Sequence, residues 1–243
     1  MSHWSEFYES RYASKQTGGL QRSVAFRNGE YARIDATLRE LRPVDATTKV
    51  LDVGAGYATY LADADVTALD ISASALEHSP RSRTVVGTAD AIPFGDAMFD
   101  VVVCSQVLEH VPNWAKALTD MVRVLRPGGL LFVAVPNRYA LMKRRYHELE
   151  RLIDKSGHIH EFRESQLVFG LLERGLERIG SQGACYNLFW LGARLERSKF
   201  AGVAVRLMDR IPSQAIGRAL ISESRRRRHR LDGLSMEVWG FRP

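Results

Sequence analysis

Apolar positions along the chain fall into short, nearly continuous runs separated by stretches of helical spacing. Residues 50–53, 66–70, 84–87, 99–104 and 128–136 have the length and composition of buried strands. Strands alternating with helices predict a parallel sheet with crossover connections, and ligands then sit beyond the carboxyl ends of the strands. The first run closes in Gly54-Ala55-Gly56, and residues 59–64 look helical. Glycine at such a turn permits positive φ and lets a ligand approach the backbone, while a following helix offers unpaired N–H groups. Many α/β proteins carry such a turn for packing alone. The second run ends in Asp70, 14 residues past Gly56, where a carboxylate can accept from ribose hydroxyls.

Two further strands are predicted, at 177–187 and 235–241. About 45 residues separate them, far more than a hairpin loop requires. Within this insertion Leu188, Leu191 and Leu195 share one helical face, as do Phe200, Val203, Leu207 and Ile211. Before the first strand, a helix is expected from Gly29 to Leu41, ending ahead of Pro43. Trp4, Phe7, Tyr8 and Tyr12 mark an earlier aromatic segment.

Composition narrows the class. A chain of 243 residues suits one domain with an embellishment. Cys104 and Cys185 have no metal-type spacing, and Cys104 ends a buried strand, so a reduced structural thiol is expected. The N-terminus lacks a secretory pattern, and no apolar run nears the roughly 18 residues of a membrane span, so a cytoplasmic protein is expected. The net charge of +6 is uneven. From Arg194 onward there are 12 Lys and Arg against 5 Asp and Glu, whereas the remainder carries 22 against 23. The basicity therefore belongs to the insertion, which ends in Arg225-Arg226-Arg227-Arg228-His229-Arg230.

Six segments in order carry a family likeness: Leu51-Asp52-Val53-Gly54-Ala55-Gly56, Leu69-Asp70-Ile71-Ser72, Thr88-Ala89-Asp90-Ala91-Ile92-Pro93-Phe94, Phe99-Asp100-Val101-Val102-Val103, Val107-Leu108-Glu109-His110-Val111 and Leu125-Arg126-Pro127-Gly128-Gly129. Over about residues 49–137 the chain resembles the class I S-adenosylmethionine-dependent methyltransferases, most closely the small-molecule branch with the ubiquinone and menaquinone biosynthesis enzymes. The resemblance implies a doubly wound, mostly parallel, Rossmann-like sheet of seven strands with an antiparallel last strand. It implies an N-terminal helical lid over 1–48 and a core over 49–187 and 235–243 with a cap at about 138–165, whereas the basic helical insertion at 188–234 is this chain's own addition to the usual last hairpin. Ala58 stands where the family usually has a third glycine, and Thr59 breaks the dinucleotide fingerprint.

The resemblance also assigns roles. Gly54, Ala55 and Gly56 would face the methionine part of S-adenosylmethionine, and Asp70 both ribose hydroxyls. Ile71 would lie on the adenine, with Asp90 accepting from its amino group and the Ala91 N–H donating to the ring. Ser105 and Gln106 would pass beside the sulfonium, and Tyr12 of the lid would close over the cofactor with Tyr8. His110, and His158 of a Gly-His-x-x-x-Phe segment, are candidate general bases, since imidazole titrates near neutral pH. Either could instead only hold local structure. His158 and His160, one residue apart in an extended segment, should not both face the pocket. Related enzymes bind a divalent metal through Glu-x-x-Glu-His; here Gln106 takes the first place, so no metal is expected.

The expected reaction transfers a methyl group to an O, N or C nucleophile of a small-molecule acceptor, lipid-linked or a natural product, leaving S-adenosylhomocysteine. Rival readings are a cofactor-binding subunit without turnover, and a peripheral membrane protein dominated by residues 188–230. The basic, amphipathic insertion suits an anionic membrane surface, a core helix pair or a homodimer contact. Nucleic acid is not an expected partner, since Cys104-Ser105-Gln106-Val107 replaces the base-methylating motif after the fourth strand.

Overall fold

The computed structural model describes residues 24–137, 158–184 and 235–243, with Glu6, Glu9, Ser10 and scattered positions from 203 to 222. Most of the insertion's helical faces (Val203 and Ile211 excepted), most of the cap, Tyr8, Tyr12, Cys185 and the Arg225–Arg230 run lie outside the described residues. Seven strands form one sheet: β1 (Lys49–Val53), β2 (Asp65–Asp70), β3 (Arg83–Val86), β4 (Phe99–Ser105), β5 (Leu125–Pro136), β6 (Glu177–Ala184) and β7 (Ser235–Phe241). Their order is β3-β2-β1-β4-β5-β7-β6. Strands β1 to β5 run parallel, and β7 runs antiparallel to both of its neighbours, β5 and β6. The chain winds from β1 out to β3, then returns to lay β4 on β1's other side. That reversal opens a crevice at the carboxyl ends of β1 and β4.

Both sheet faces are covered, which is why the strands read as apolar runs rather than alternating ones. On one face Leu51, Val53, Val102, Leu131 and Val133 pack against α3 (Trp114–Val124) and α4 (Glu164–Leu172). On the other, Val50, Val101, Val103 and Phe132 pack against Ile34 and Leu38 of α1 (Val24–Leu41). Helix α3 starts where Asn113 accepts from the Lys116 N–H at 3.1 Å, and its Ala117, Leu118, Met121 and Val124 form one buried stripe. Helix α1 is bound to the sheet by a buried ion pair, Arg33 to Glu237, whose second oxygen accepts from Gln182 at 2.7 Å.

Two expected helices differ. Helix α1 begins at Val24, five residues before its expected start, because Gly29 lies buried inside it. A mid-helix glycine costs only about 1 kcal/mol, which packing offsets. No helix forms over residues 59–64; a string of turns joins β1 to β2, with Leu61 at φ 52° and its N–H bonded to Asp35 at 2.7 Å. Eleven residues separate the two strands, close to the minimum of about 10–12 for a helical crossover. Between β2 and β3, Ser72 caps the short α2 (Ala73–Glu77). No helix among the described residues is long and apolar enough to cross a membrane.

Candidate functional site

The crevice is built from the ends of β1, β2 and β4. After β1 the chain turns through Gly54 (φ 71°) and Gly56 (φ 47°). The Gly54 and Ala55 N–H groups both donate to the Leu69 carbonyl, at 2.7 and 3.1 Å, so the turn leans on β2. A Cβ on Gly54 would lie 2.2 Å from a Val107 methyl, so this position is glycine by sterics as well as by φ. Asp70 fixes the far side. One of its oxygens accepts from the Gly56 N–H and the other from the Ser72 N–H, both at 2.9 Å. Burial raises its pKa, and the N–H bonds from Ser72, Gly56 and Ile71 pull it back. Each carboxylate oxygen retains acceptor capacity for a hydroxyl. Ile71, half-buried, follows directly.

Beyond β3 a turn closes Thr88 to Ala91 and leaves Asp90 half-buried. The Ala91 N–H, expected to face a ring nitrogen, donates instead to the Thr88 carbonyl at 3.2 Å. A tight turn of this kind uses its last N–H internally. At the end of β4, Ser105 is followed by Gln106 in the left-handed region, φ 58°. That strain is held by two bonds. The Gln106 N–H donates to the Ala134 carbonyl at 2.8 Å, and its side-chain amide to the Ser235 hydroxyl at 3.1 Å.

Two acidic residues at the site were missed from sequence, and a third was weighed there only as part of a metal pattern. Asp52, 1% exposed, accepts from the Tyr60 hydroxyl, and its second oxygen has no partner; desolvation pushes its pKa up to about 7. A buried acid inside an otherwise apolar strand was the available signal. Glu9 accepts from the Ala73 N–H, and from the Ser74 N–H and hydroxyl, which brings the N-terminal segment to the crevice rim. No local signal in the sequence points to that contact.

The third is Glu109, 1% exposed. It lies in a 3-10 turn, Leu108–His110, and its backbone carbonyl accepts from Ile159 and His160 at 2.9 and 3.1 Å. Those two bonds bring His158 alongside. Glu109 Oε1 is 3.7 Å from His110 Nε2 and 3.9 Å from His158 Nε2, and the two imidazole centroids are 4.7 Å apart. His160 instead bonds the Pro112 carbonyl at 3.2 Å. Thus the two histidines singled out from sequence meet around a buried carboxylate. Donor atoms of the three residues lie within 4.8 Å of one another, a spacing and donor chemistry that also fit a divalent ion. His158 supplies a donor that the Glu-x-x-Glu-His pattern, with Gln106 in its first place, does not contain. Cys104, by contrast, is buried and its thiol pKa is raised by desolvation, as befits a structural residue.

Residues 51–133 match the family described as a methyltransferase domain. The chain is 32% identical over 164 residues to the ubiquinone biosynthesis O-methyltransferase of Methylococcus capsulatus, covering 58% of this chain and 68% of that protein. It is 45% identical over 95 residues to the demethylmenaquinone methyltransferase of Renibacterium salmoninarum, covering 35% of this chain but only 40% of that protein. A solved S-adenosylmethionine-dependent methyltransferase from Thermotoga maritima shares the fold, with a TM-score of 0.67 at 15% identity over 98% of this chain and 99% of the other. With the ordered motifs folded around one switch point, and with two thirds of a relative's length matched at this identity, the chain belongs to the class I S-adenosylmethionine-dependent methyltransferases.

Proposed function

We propose that this chain transfers the methyl group of S-adenosylmethionine to a hydroxyl of a small-molecule acceptor. The observation that carries the reading is the cradle of Gly54, Gly56 and Asp70 at the switch point, where backbone is bare and a carboxylate is held ready. In it Asp70 grips both ribose hydroxyls, the glycine turn admits the methionine part, Ile71 covers the adenine and Asp90 accepts from its amino group. Ser105 and Gln106 pass beside the sulfonium. Asp52, one residue before the end of β1, adds a buried carboxyl whose ionised form is complementary to a cationic ligand. The O-methyltransferase relatives favour an oxygen nucleophile over nitrogen or carbon.

The acceptor oxygen bonds to the methyl carbon as the carbon–sulfur bond breaks, and its electron pair leaves on sulfur, neutralising the sulfonium. Holding the two molecules in line supplies about 7–11 kcal/mol of the barrier. The acceptor's proton passes to His158, the more exposed of the pair, with His110 beside it and Glu109 stabilising the charge that forms.

A second reading uses the same three residues. Glu109, His110 and His158 would hold a divalent ion, which supplies Lewis acidity to a bound hydroxyl. Chelation separates the two. In the base reading, protein treated with a chelator keeps its rate, while His158→Ala lowers kcat about 100-fold or more and leaves S-adenosylhomocysteine affinity within about twofold. Loss of rate on chelation, restored by one metal, favours the second. Full kcat in both His110→Ala and His158→Ala sinks the assignment of this cluster.

A further inference from the structure

The C-terminal half of helix α3 holds the loop that carries Asp90. The Asp120 carboxylate accepts from the Ile92 N–H at 2.7 Å. Arg123 donates to the carbonyl of the same residue at 3.0 Å and to the Phe94 carbonyl at 2.8 Å. Its Nε bonds Asp120 at 3.0 Å, so the two side chains form one unit across a single helical turn. The Ile92 residue is therefore gripped at both its N–H and its C=O, two positions after Asp90. The helix end finishes the job: its terminal carbonyls, Arg123 and Val124, accept from Ala97 and Met98 at 3.0 and 2.8 Å. Ala97 is held there at φ 54°, a strained value for alanine.

This loop is not a passive connection. The planar guanidinium fork suits two carbonyls at fixed spacing, a task an ammonium cannot copy. The Ile92 side chain is also buried, so the backbone is tied from above and below.

We propose that Asp120 and Arg123 are positioning residues that set nucleobase selectivity by fixing the loop that presents Asp90 to the adenine amino group. The inference rests on the cofactor reading above. Asp90 in place accepts from an exocyclic amino group and repels a keto oxygen. Released, it loses both the attraction and the discrimination.

The test measures binding of S-adenosylhomocysteine and S-inosylhomocysteine to the full chain by calorimetry, with melting curves as a folding control. Arg123→Met should weaken S-adenosylhomocysteine about tenfold and leave the inosyl compound unchanged or tighter, with Arg123→Lys in between. Combining Arg123→Met with Asp90→Ala should add little to Asp90→Ala alone, since both act through one contact. A merely structural role would weaken both ligands together and add fully to Asp90→Ala; either result overturns the proposal, as does unchanged selectivity. Should Arg123→Met fail to fold, Asp120→Asn and Arg123→Lys carry the same selectivity test. No binding of S-adenosylhomocysteine to the unaltered protein removes the cofactor reading itself, whereas normal binding with unaltered selectivity in the variants removes only this one.

Discussion

The two sides of the crevice are assembled differently. On the side proposed to hold the cofactor, the groups sit at a strand end or within four residues of one: Gly54 and Gly56 after β1, Asp70 ending β2, Asp90 after β3, Ser105 ending β4. On the side proposed to face the acceptor, Glu109 and His110 meet His158 across a sequence gap of nearly fifty residues, joined by the bonds from Ile159 and His160 to the Glu109 carbonyl. A ligand of fixed shape can be met by short motifs on a rigid sheet. A variable acceptor is met by connections, which are free to change without disturbing the strands.

The largest effect that would break this contrast is expected at Gly54. Alanine there meets Val107 at 2.2 Å and keeps a positive φ. Gly54→Ala should lose about 3 kcal/mol of stability and bind S-adenosylhomocysteine far more weakly. Adding Val107→Ala should restore the part due to the clash and leave the part due to φ, as read by denaturant melts. If Gly54→Ala binds normally, the turn is a packing feature and the cofactor side is no more built for its ligand than the acceptor side.

A smaller effect sharpens the comparison through Asp52. Its carboxyl is pushed up to about 7, chiefly by desolvation, while the unfolded chain releases that proton near its ordinary value of 3.8. Folding therefore takes up a proton between those limits, and the contribution to stability falls as pH rises from about 4 to about 7. Asp52→Asn should keep the Tyr60 bond, flatten that slope and gain about 1–2 kcal/mol at pH 8. The same substitution should weaken binding of the cationic cofactor more than that of its neutral-sulfur product. An unchanged pH slope would show that water or a counter-charge already relieves Asp52.

The same difference governs what was legible beforehand. Strands β1, β2, β4 and β5 announce themselves because both faces are buried, so their apolar runs have no polar alternation to confuse. Gly54, Asp70 and Gln106 could be placed at the crevice from sequence because they lie at or just past strand ends. The stretch 59–64 misled because its composition suits a helix while its length barely permits one. Glu109 as the hub of a cluster, and Glu9 at the rim, were not readable, since each depends on a partner distant in the chain. Tyr12 and most of the basic insertion lie outside the described residues, so the lid and surface readings stay as sequence expectations.

Asp70 and the glycine turn are proposed to hold an adenosyl sulfonium at the β1–β4 switch point. Calorimetric titration with S-adenosylmethionine tests it most directly, comparing the unaltered chain with Asp70→Ala. Saturable one-site binding is expected in the first and at least a 100-fold loss in the second, the order expected for removing a charged, bidentate acceptor. Equal binding by both proteins, or none by the unaltered chain, would contradict it.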